Sequence, residues 1–572
     1  MTIEPPINGR IGAAKSRSGC TTCKIRKVKC GEEKPNCLRC SSTGRKCEYQ
    51  NDRTSTLRST TPPSLTPTNA LSSSPDSGRR ERYAFEYYFQ HAAQHLAGGM
   101  KVDFWTKVIP QICRSEPAVW DGMIAISTLF QYPNQSLDFT LLRNRRKGSN
   151  SLNQIQLEAL TWYSRSISSV HSQIERGTAD PYIALMSCVL FICVETIQGR
   201  MEEALQLFRQ GVTLISELRT HISQGRVSVS KVALLEQAII PLFLRLGSVS
   251  LTISGTQPSD IFAFVGINLD CEFKSAEQAR TSLAVLSAEV VLFERETVMY
   301  LRTLDPDSSM DPIMVSRKES LRARVSRWHG FYTRMCENNL NSQSPIEYDP
   351  LLLIYYTTMS IILSSCLISL ETVYDAHLAD FEAIVEQAKL SLLASTRPDG
   401  SQPPFTFEVG VGLPLFLTSM KCRHPVVRRQ ALELLRKAPP LQGLFKCTPS
   451  ALLAESFMML EESYSFALQQ ATMTAQAEET VASEDSENMQ AAQPMHQLGI
   501  SQGIQVAEEA RIHYYCVFRP SEGLPPGVNE EDIAKFGDNP NQLYLRFGQN
   551  RFDAGCGSWR QVFECIPFGG GM

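Results

Sequence analysis

From residue 80 onward, apolar positions recur every three or four residues along most of the chain. In EEALQLFRQGVTLISEL (202–218), Leu205, Phe208, Val212 and Ile215 fall at 3–4–3 spacing, which predicts a helix with one buried face. HPVVRRQALELLRK (424–437) opens with Pro425 at a first-turn position and turns Val427, Ala431, Leu434 and Leu435 inward. LLLIYYTTMSIILSSCLISL (351–370) carries no charge and is long enough to cross a bilayer. Six Ser/Thr and two Tyr interrupt it and no Lys/Arg cluster flanks it, so the expectation is a buried helix of a large helical core. The pattern changes at the C-terminal end, where YLRFGQNRFDAGCGSWRQVFECIPF (544–568) alternates in short runs and predicts a few strands.

Two stretches are too polar to pack. Residues 51–79 are rich in Ser, Thr and Pro and predict a flexible linker. Their leucines, Leu57, Leu65 and Leu71, make no heptad, so no coiled coil is expected there and a homodimer stays an open alternative. Residues 472–498, including the acidic AQAEETVASEDSEN (475–488), predict a disordered insertion. The resulting division is a disordered N-terminus (1–14), a small domain (15–50), the linker (51–79) and a mostly helical domain (80–572).

The whole chain has a formal net charge of −3, which hides a strong asymmetry. Residues 15–50 hold ten Lys and Arg against three acids, a local net charge of +7. A basic head on an acidic body is the pattern of a nucleic-acid-binding module joined to a separate domain. The first residues, MTIEPPINGRIGAAKSR, contain no apolar run of the signal-peptide kind, so a reducing compartment is expected. Eleven of the seventeen cysteines are scattered singly, among them Cys188, Cys193 and Cys366, and are expected to be buried and reduced.

The other six lie together in CTTCKIRKVKCGEEKPNCLRCSSTGRKC (20–47). Cys20, Cys23 and Cys30 are spaced C-x2-C-x6-C, and Cys37, Cys40 and Cys47 repeat that spacing seventeen residues later. A disulfide staple and a metal site are the two alternatives. Six cysteines supply two four-thiolate zinc sites only if two sulfurs are shared. Metal binding is also what such a segment needs. Its few apolar residues, Ile25, Val28 and Leu38, cannot form a core, whereas a structural zinc contributes ~10–16 kcal/mol.

The stretch resembles the fungal binuclear zinc-cluster, Zn(2)-C6, DNA-binding domain, with all six cysteines at that family's spacing. The resemblance implies two Zn²⁺ ions per chain, with Cys20 and Cys37 bridging. Cys23 and Cys30 would complete one site, and Cys40 and Cys47 the other. Pro35 matches the family's proline in the turn joining the halves, and Gly31 departs from its usual Asp. ALTWYSRSIS (159–168), LMSCVLFICVETIQGRMEEALQLFRQGVTLI (185–215) and FLTSMKCRHPVVRRQALELL (416–435) resemble the regulatory domain of one branch of the family, which is all-helical. The fold class expected is therefore a small metal-stabilised zinc-cluster domain followed by a large all-α regulatory domain.

Between Cys23 and Cys30, KIRKVK predicts a short helix sized for the major groove, where guanine presents its O6 and N7 acceptors. The resemblance points to Arg26 and Lys27 as the pair meeting a CGG-type triplet, with Lys27 the preferred base contact. Lys24, Lys29, Arg39, Arg45 and Lys46 are expected to meet phosphates, which position without reading sequence. The implied function is a nuclear, sequence-specific transcription factor acting on metabolic genes, specialised metabolism included. Its implied partners are double-stranded DNA with CGG-type half-sites and the transcription machinery, with no membrane. RNRRK (143–147) is read as a solvated loop, with nuclear import as its alternative.

The rivals are weaker. A thiol-rich zinc-storage or redox-sensing protein would need no excess of Lys and Arg around the cysteines. A serine hydrolase built on Gly499, Ser501 and Gly503 would need a strand before the serine, and AAQPMHQL is no strand. GVG (410–412) lacks the third glycine of a dinucleotide fingerprint. No enzyme activity is expected.

Overall fold

The computed structural model describes residues 18–47, 49, 78–98, 103–133, 153–225, 227–252, 272–303, 309–339, 348–483, 505–537 and 539–568. The chain divides into two compact units, residues 1–72 and 73–572. In the first unit, two short helices, α1 (Thr21–Ile25) and α2 (Leu38–Ser41), hold the cysteines. Ile25 and Leu38 are exposed, and the buried centre is formed by Cys20, Cys23, Cys30, Cys37 and Cys40. Sulfur takes the place of a hydrocarbon core.

The second unit opens with α3 (Arg79–Tyr87), α4 (Ala93–Leu96), α5 (Ile109–Ile112), α6 (Pro117–Gln131) and α7 (Gln154–Glu175). It continues through α8 (Pro181–Ile197), α9 (Met201–Ser223), α10 (Val229–Leu234), α11 (Ile240–Thr252), α12 (Ala276–Thr303) and α13 (Pro312–Asn339). After α14 (Pro350–Ser365) and α15 (Leu378–Ser395) come β1 (Phe405–Thr406), α16 (Gly412–Lys421), α17 (Pro425–Lys437), β2 (Leu441–Gln442), β3 (Phe445–Lys446) and α18 (Cys447–Ser483). The last elements are β4 (Ile512–Phe518), α19 (Glu530–Ala534), β5 (Leu543–Asp553) and β6 (Ser558–Phe568).

Several helices start where the sequence supplies a cap. Asp180 before Pro181 and Asp349 before Pro350 accept the N–H of Tyr182 and Leu351, and Asn153 forms a capping box with Gln156. Helices adjacent in sequence pack on one another, α6 on α7, α8 on α9, α11 on α12, α14 on α15 and α16 on α17. On α9, Phe208, Val212 and Ile215 are buried while Leu205 is half-buried. Gly211, on that same face, lies where a Cβ would sit 2.5 Å from the Phe243 ring, so α9 approaches α11 closely only because position 211 has no side chain.

One core runs from α3 to β5 and includes Trp105, Phe243 and Phe381, and a second lies among α12, α13 and α14 around Trp328. The apolar segment 351–370 is indeed internal, but its helix stops at Ser365, sixteen residues long. Among the described residues, the helical run long and apolar enough to span a membrane is Val229–Thr252. It packs as a core helix. Ile240 to Leu251 are all buried, and Arg245 in their midst pairs with Glu408 and Glu277 at 2.6 Å each.

The alternating C-terminal run forms strands as expected. β4, β5 and β6 make an antiparallel sheet in that order, with Tyr515 opposite Phe547 and Leu545 opposite Ile566. Ile512, Leu545 and Phe547 join the main core. The sheet is also tied to the helices by buried charge. Glu461 of α18 accepts the Ile512 N–H at 2.7 Å and pairs with Arg423 (2.8 Å) and Arg428 (2.7 Å). Arg423 also reaches Glu371 (2.8 Å), and Glu371 pairs with Lys421 (2.7 Å). Glu508 accepts the N–H groups of Glu371 (2.9 Å) and Thr372 (2.8 Å) and the Asn550 amide (2.7 Å).

The sequence expectation fails at the start of the acidic insertion. Residues 472–483, expected as part of a disordered insertion, continue α18. The run there contains Ala, Met, Gln and Glu, good helix formers, and no Gly or Pro to stop it. Residues 484–498, the loop at 143–147, the linker residues 51–77 and Gly499, Ser501 and Gly503 lie outside the described residues.

Candidate metal centre and nucleic-acid interface

The two cysteine trios fold by one rule applied twice. Cys20 precedes α1 and Cys37 precedes α2, both in extended backbone, so Cys23 and Cys40 are carried one helical turn on and back to the same centre. Each helix then ends in a Schellman cap. Val28 N–H bonds Cys23 C=O (3.2 Å) and Lys27 N–H bonds Lys24 C=O (3.1 Å). Seventeen residues later, Arg45 N–H bonds Cys40 C=O (3.0 Å) and Gly44 N–H bonds Ser41 C=O (3.2 Å). The cap reverses the chain and returns Cys30 and Cys47 to the centre. It requires a left-handed residue, which is Lys27 (φ 53°) in the first half and Gly44 (φ 61°) in the second.

This corrects the expected helix over KIRKVK. α1 ends at Ile25, with Arg26 as its cap residue and Lys27 outside it. A helix continued to Lys29 would carry Cys30 away from the other sulfurs.

Two sets of four sulfurs result, Cys20, Cys23, Cys30, Cys37 and Cys20, Cys37, Cys40, Cys47, each with all its ligand atoms within 4.8 Å of one another. Cys20 and Cys37 belong to both. Their sulfurs lie 3.7 Å apart, and Cys23 lies 3.7 Å from Cys37. Zinc–thiolate bonds of about 2.3 Å in a tetrahedron put sulfurs about 3.8 Å apart, so the donor set fits zinc in number, type and spacing.

Backbone N–H groups point at the sulfurs in the same repeated fashion. Cys20 N–H bonds Cys30 Sγ (3.3 Å) and Cys37 N–H bonds Cys47 Sγ (3.2 Å), and Cys23 N–H bonds Cys20 Sγ (3.4 Å). Desolvation works against a thiolate at Cys37, but the Cys40 N–H and neighbouring thiols outweigh it and bring the thiol down to about 6. Cys20 is lowered through the Cys23 N–H against the same desolvation, while desolvation and neighbouring thiols push Cys23 up to about 12. Both shared sulfurs, Cys20 and Cys37, are thus shifted toward the thiolate.

The seven basic residues surround this centre. Lys24 lies on α1 and Arg39 on α2, both exposed; Lys27 is exposed at the left-handed cap position, and Lys29, Arg45 and Lys46 are exposed in the segments after the helices. Arg26 differs. It is half-buried and its guanidinium donates to Thr43 Oγ1 at 3.4 Å, so it braces one half against the other.

Four supporting residues escaped sequence reasoning. Thr22 Oγ1 donates to Lys46 C=O (2.9 Å), Glu33 caps α2 by accepting the Leu38 N–H (3.0 Å), and Thr43 meets Arg26. Tyr49 donates to Glu33 C=O (2.9 Å), and its ring lies under the Lys34 ammonium (5.6 Å). A lone tyrosine two residues past the last cysteine, in a stretch so poor in apolar residues, was the available signal. The Lys34–Pro35 peptide in the joining turn is cis. Among the other described cysteines no disulfide forms, and nearly all are buried; Cys556 is exposed.

Residues 18–56 match the family model of the fungal Zn(2)-Cys(6) binuclear cluster domain, so the recognition made from the cysteine spacing holds. Over 450 residues, 72% of this chain and 68% of the relative, the chain is 22% identical to the aspercryptin biosynthesis cluster-specific transcription regulator atnN of Emericella nidulans. It is 38% identical over 76 residues to the transcriptional regulatory protein moc3 of Schizosaccharomyces pombe, covering 11% of this chain and 15% of that protein. It is 49% identical over 39 residues, 7% of each chain, to transcription factor tstO of Talaromyces stipitatus. No solved structure matches the chain significantly.

Proposed function

We propose, from the premise that residues 18–56 are a fungal zinc-cluster domain of the transcription-regulator kind, that this protein is a nuclear transcription factor that holds two Zn²⁺ ions per chain and binds CGG-containing promoter sites. The observation that carries the reading is the pair of four-sulfur sets overlapping at Cys20 and Cys37. Cys20, Cys23, Cys30 and Cys37 hold one ion, and Cys20, Cys37, Cys40 and Cys47 the other. The ions hold together a segment whose apolar side chains are exposed and so cannot fold it.

Lys27 meets a guanine edge, while Lys24, Lys29, Arg39, Arg45 and Lys46 neutralise phosphates. Arg26 belongs to the scaffold, supported by its bond to Thr43. Similarity to the aspercryptin-cluster regulator over most of the chain supports a role in controlling a specialised-metabolite gene cluster.

The test is metal analysis of the full chain together with binding to matched and scrambled CGG duplexes. Two zincs per chain and a preference for the matched duplex that chelator abolishes are expected. One zinc per chain would overturn the shared-ligand arrangement, and equal binding to both duplexes would overturn sequence-specific readout.

A further inference from the structure

Inside the helical unit, α11, α12, α14, α16 and β4 enclose a cavity of about 290 Å³. Val290, Met359, Ile362, Phe416, Met420 and Ile512 give it an apolar wall. Glu294 of α12 interrupts that wall. Glu294 is half-buried, whereas the fully buried carboxylates of this unit are all engaged: Glu408 by Arg245, Glu371 by Lys421 and Arg423, Glu461 by two arginines and an N–H, Glu508 by three donors, Asp121 by Arg165 and Glu195 by Tyr163 and Arg200. Glu294 has no side-chain hydrogen bond or ion pair with a described residue. Its nearest cations are committed elsewhere, Lys421 to Glu371 at 2.7 Å and Arg295 to the Leu251 carbonyl. Desolvation raises the Glu294 pKa, partly offset by the fields of Lys421 and Arg295.

The hydroxyls of the cavity have the same bias. Ser248, Thr252 and Thr358 donate to backbone carbonyls of their own helices, Ser287 to Met359 Sδ (3.3 Å), and Tyr355 to Gly410 C=O (3.1 Å). With their protons spent, these groups offer only lone pairs. Beside these acceptors stand the Tyr515 hydroxyl and the buried His513 Nε2, which has no partner, so the cavity suits a hydroxyl, which both donates and accepts. Charge narrows the choice. The Glu294 carboxylate faces the field of Arg295, and Lys421 is balanced by Glu371, so the site is near neutral overall and a charged ligand would be left uncompensated. At about 30 Å³ per heavy atom, taken from water's share of liquid volume, the space suits a body of about ten heavy atoms. It lies at the lower end of the ~300–1,000 Å³ range of ligand pockets.

We propose that this cavity is a binding site for a small uncharged hydroxyl compound with an apolar body, its O–H donating to the Glu294 carboxylate. The site lies wholly in the helical unit and does not depend on the zinc-cluster reading, so either can fail alone.

The probe is 2-naphthol, titrated into the full-length protein by calorimetry, alongside 2-methylnaphthalene, 2-naphthoate and 2-naphthylmethylamine. The expected result is saturable one-to-one binding of 2-naphthol, at least tenfold tighter than any of the other three, a difference of about 1.4 kcal/mol. Glu294→Leu should erase the preference for the naphthol over its methyl analogue, with circular dichroism showing that the helices persist. The comparison among the four probes on the wild-type chain needs no variant to fold. Absence of saturable 2-naphthol binding below ~1 mM, equal binding of the methyl compound, or tighter binding of the acid or the amine would each overturn the proposal.

Discussion

Replacing Lys27 by glycine removes a side chain and a steric penalty at once, and the two effects move different observables. Lys27 sits at φ 53°, the left-handed place of the cap that ends α1, and the equivalent place in the second half is Gly44 at φ 61°. A left-handed L-residue costs about 1–2 kcal/mol, from the clash of its Cβ with the following carbonyl oxygen. Glycine avoids that clash but gives back about 0.5–1 kcal/mol in chain entropy. Lys27→Gly should therefore stabilise the metal-bound fold by about 0.5–1 kcal/mol, a two- to fivefold gain in zinc retention. Lys24→Gly, inside α1, should lose about 1 kcal/mol instead.

In DNA binding the sign reverses. Losing a base contact costs about 1–3 kcal/mol of discrimination between CGG-containing and scrambled duplexes. Chelator competition on the full chain reads the first quantity and binding curves on matched duplexes read the second. If Lys27→Gly surrendered zinc as readily as Lys24→Gly, the strain reasoning would be wrong. If it kept full discrimination, Lys27 would not be the base-reading residue.

Cys37→Ser should weaken both metals and Cys23→Ser only one, read as zinc per chain after limited chelation; equal loss in the two variants would count against sharing. Lys46→Ala should weaken matched and scrambled duplexes alike and reduce the salt slope by about 0.9; a selective loss on the matched site would reassign it to base readout. Desolvation opposes the charge on Glu461, but Arg423 and Arg428 outweigh it and hold the carboxyl at about 2, against an ordinary 4.5. A depressed carboxyl stabilises the fold fully above pH 4.5, by about 3 kcal/mol, and loses that contribution as pH falls toward 2. Glu461→Gln should cost about 3–5 kcal/mol at neutral pH by stranding buried arginines, and urea unfolding should show the deficit shrinking below pH 4.5; a pH-independent deficit would refute the assignment.

The metal centre was legible because its ligands lie within one short stretch and repeat with one spacing. The extent of α1 was not, because the run KIRKVK has helical propensity and the demand that ends the helix comes from Cys30 having to return to the other sulfurs. The stabilising partners of Arg26 and Lys46, Thr43 and Thr22, lie on the opposite trio and carry no signal of their own. In the larger unit, helix faces followed periodicity, as at Phe208, Val212 and Ile215. The enclosed charges did not. Glu461 reads as a surface residue of α18 until β4 and α17 close over it, and the cavity is assembled from residues as far apart as Ser248 and Tyr515.

The hydrogen bonds that buried carboxylates make between the helices and the C-terminal segment also set a timetable for biosynthesis. Glu461 precedes Ile512 by 51 residues, and Glu371 precedes Glu508 by 137. At ~5–20 residues per second of translation, those partners are synthesised about 3–10 s and about 7–30 s apart. For that interval the nascent helices hold carboxylates, Lys421 and Arg423 that are costly to bury before β4 arrives. The helical unit can complete its core only after β4 has been synthesised, and until then its apolar faces are clients for chaperones.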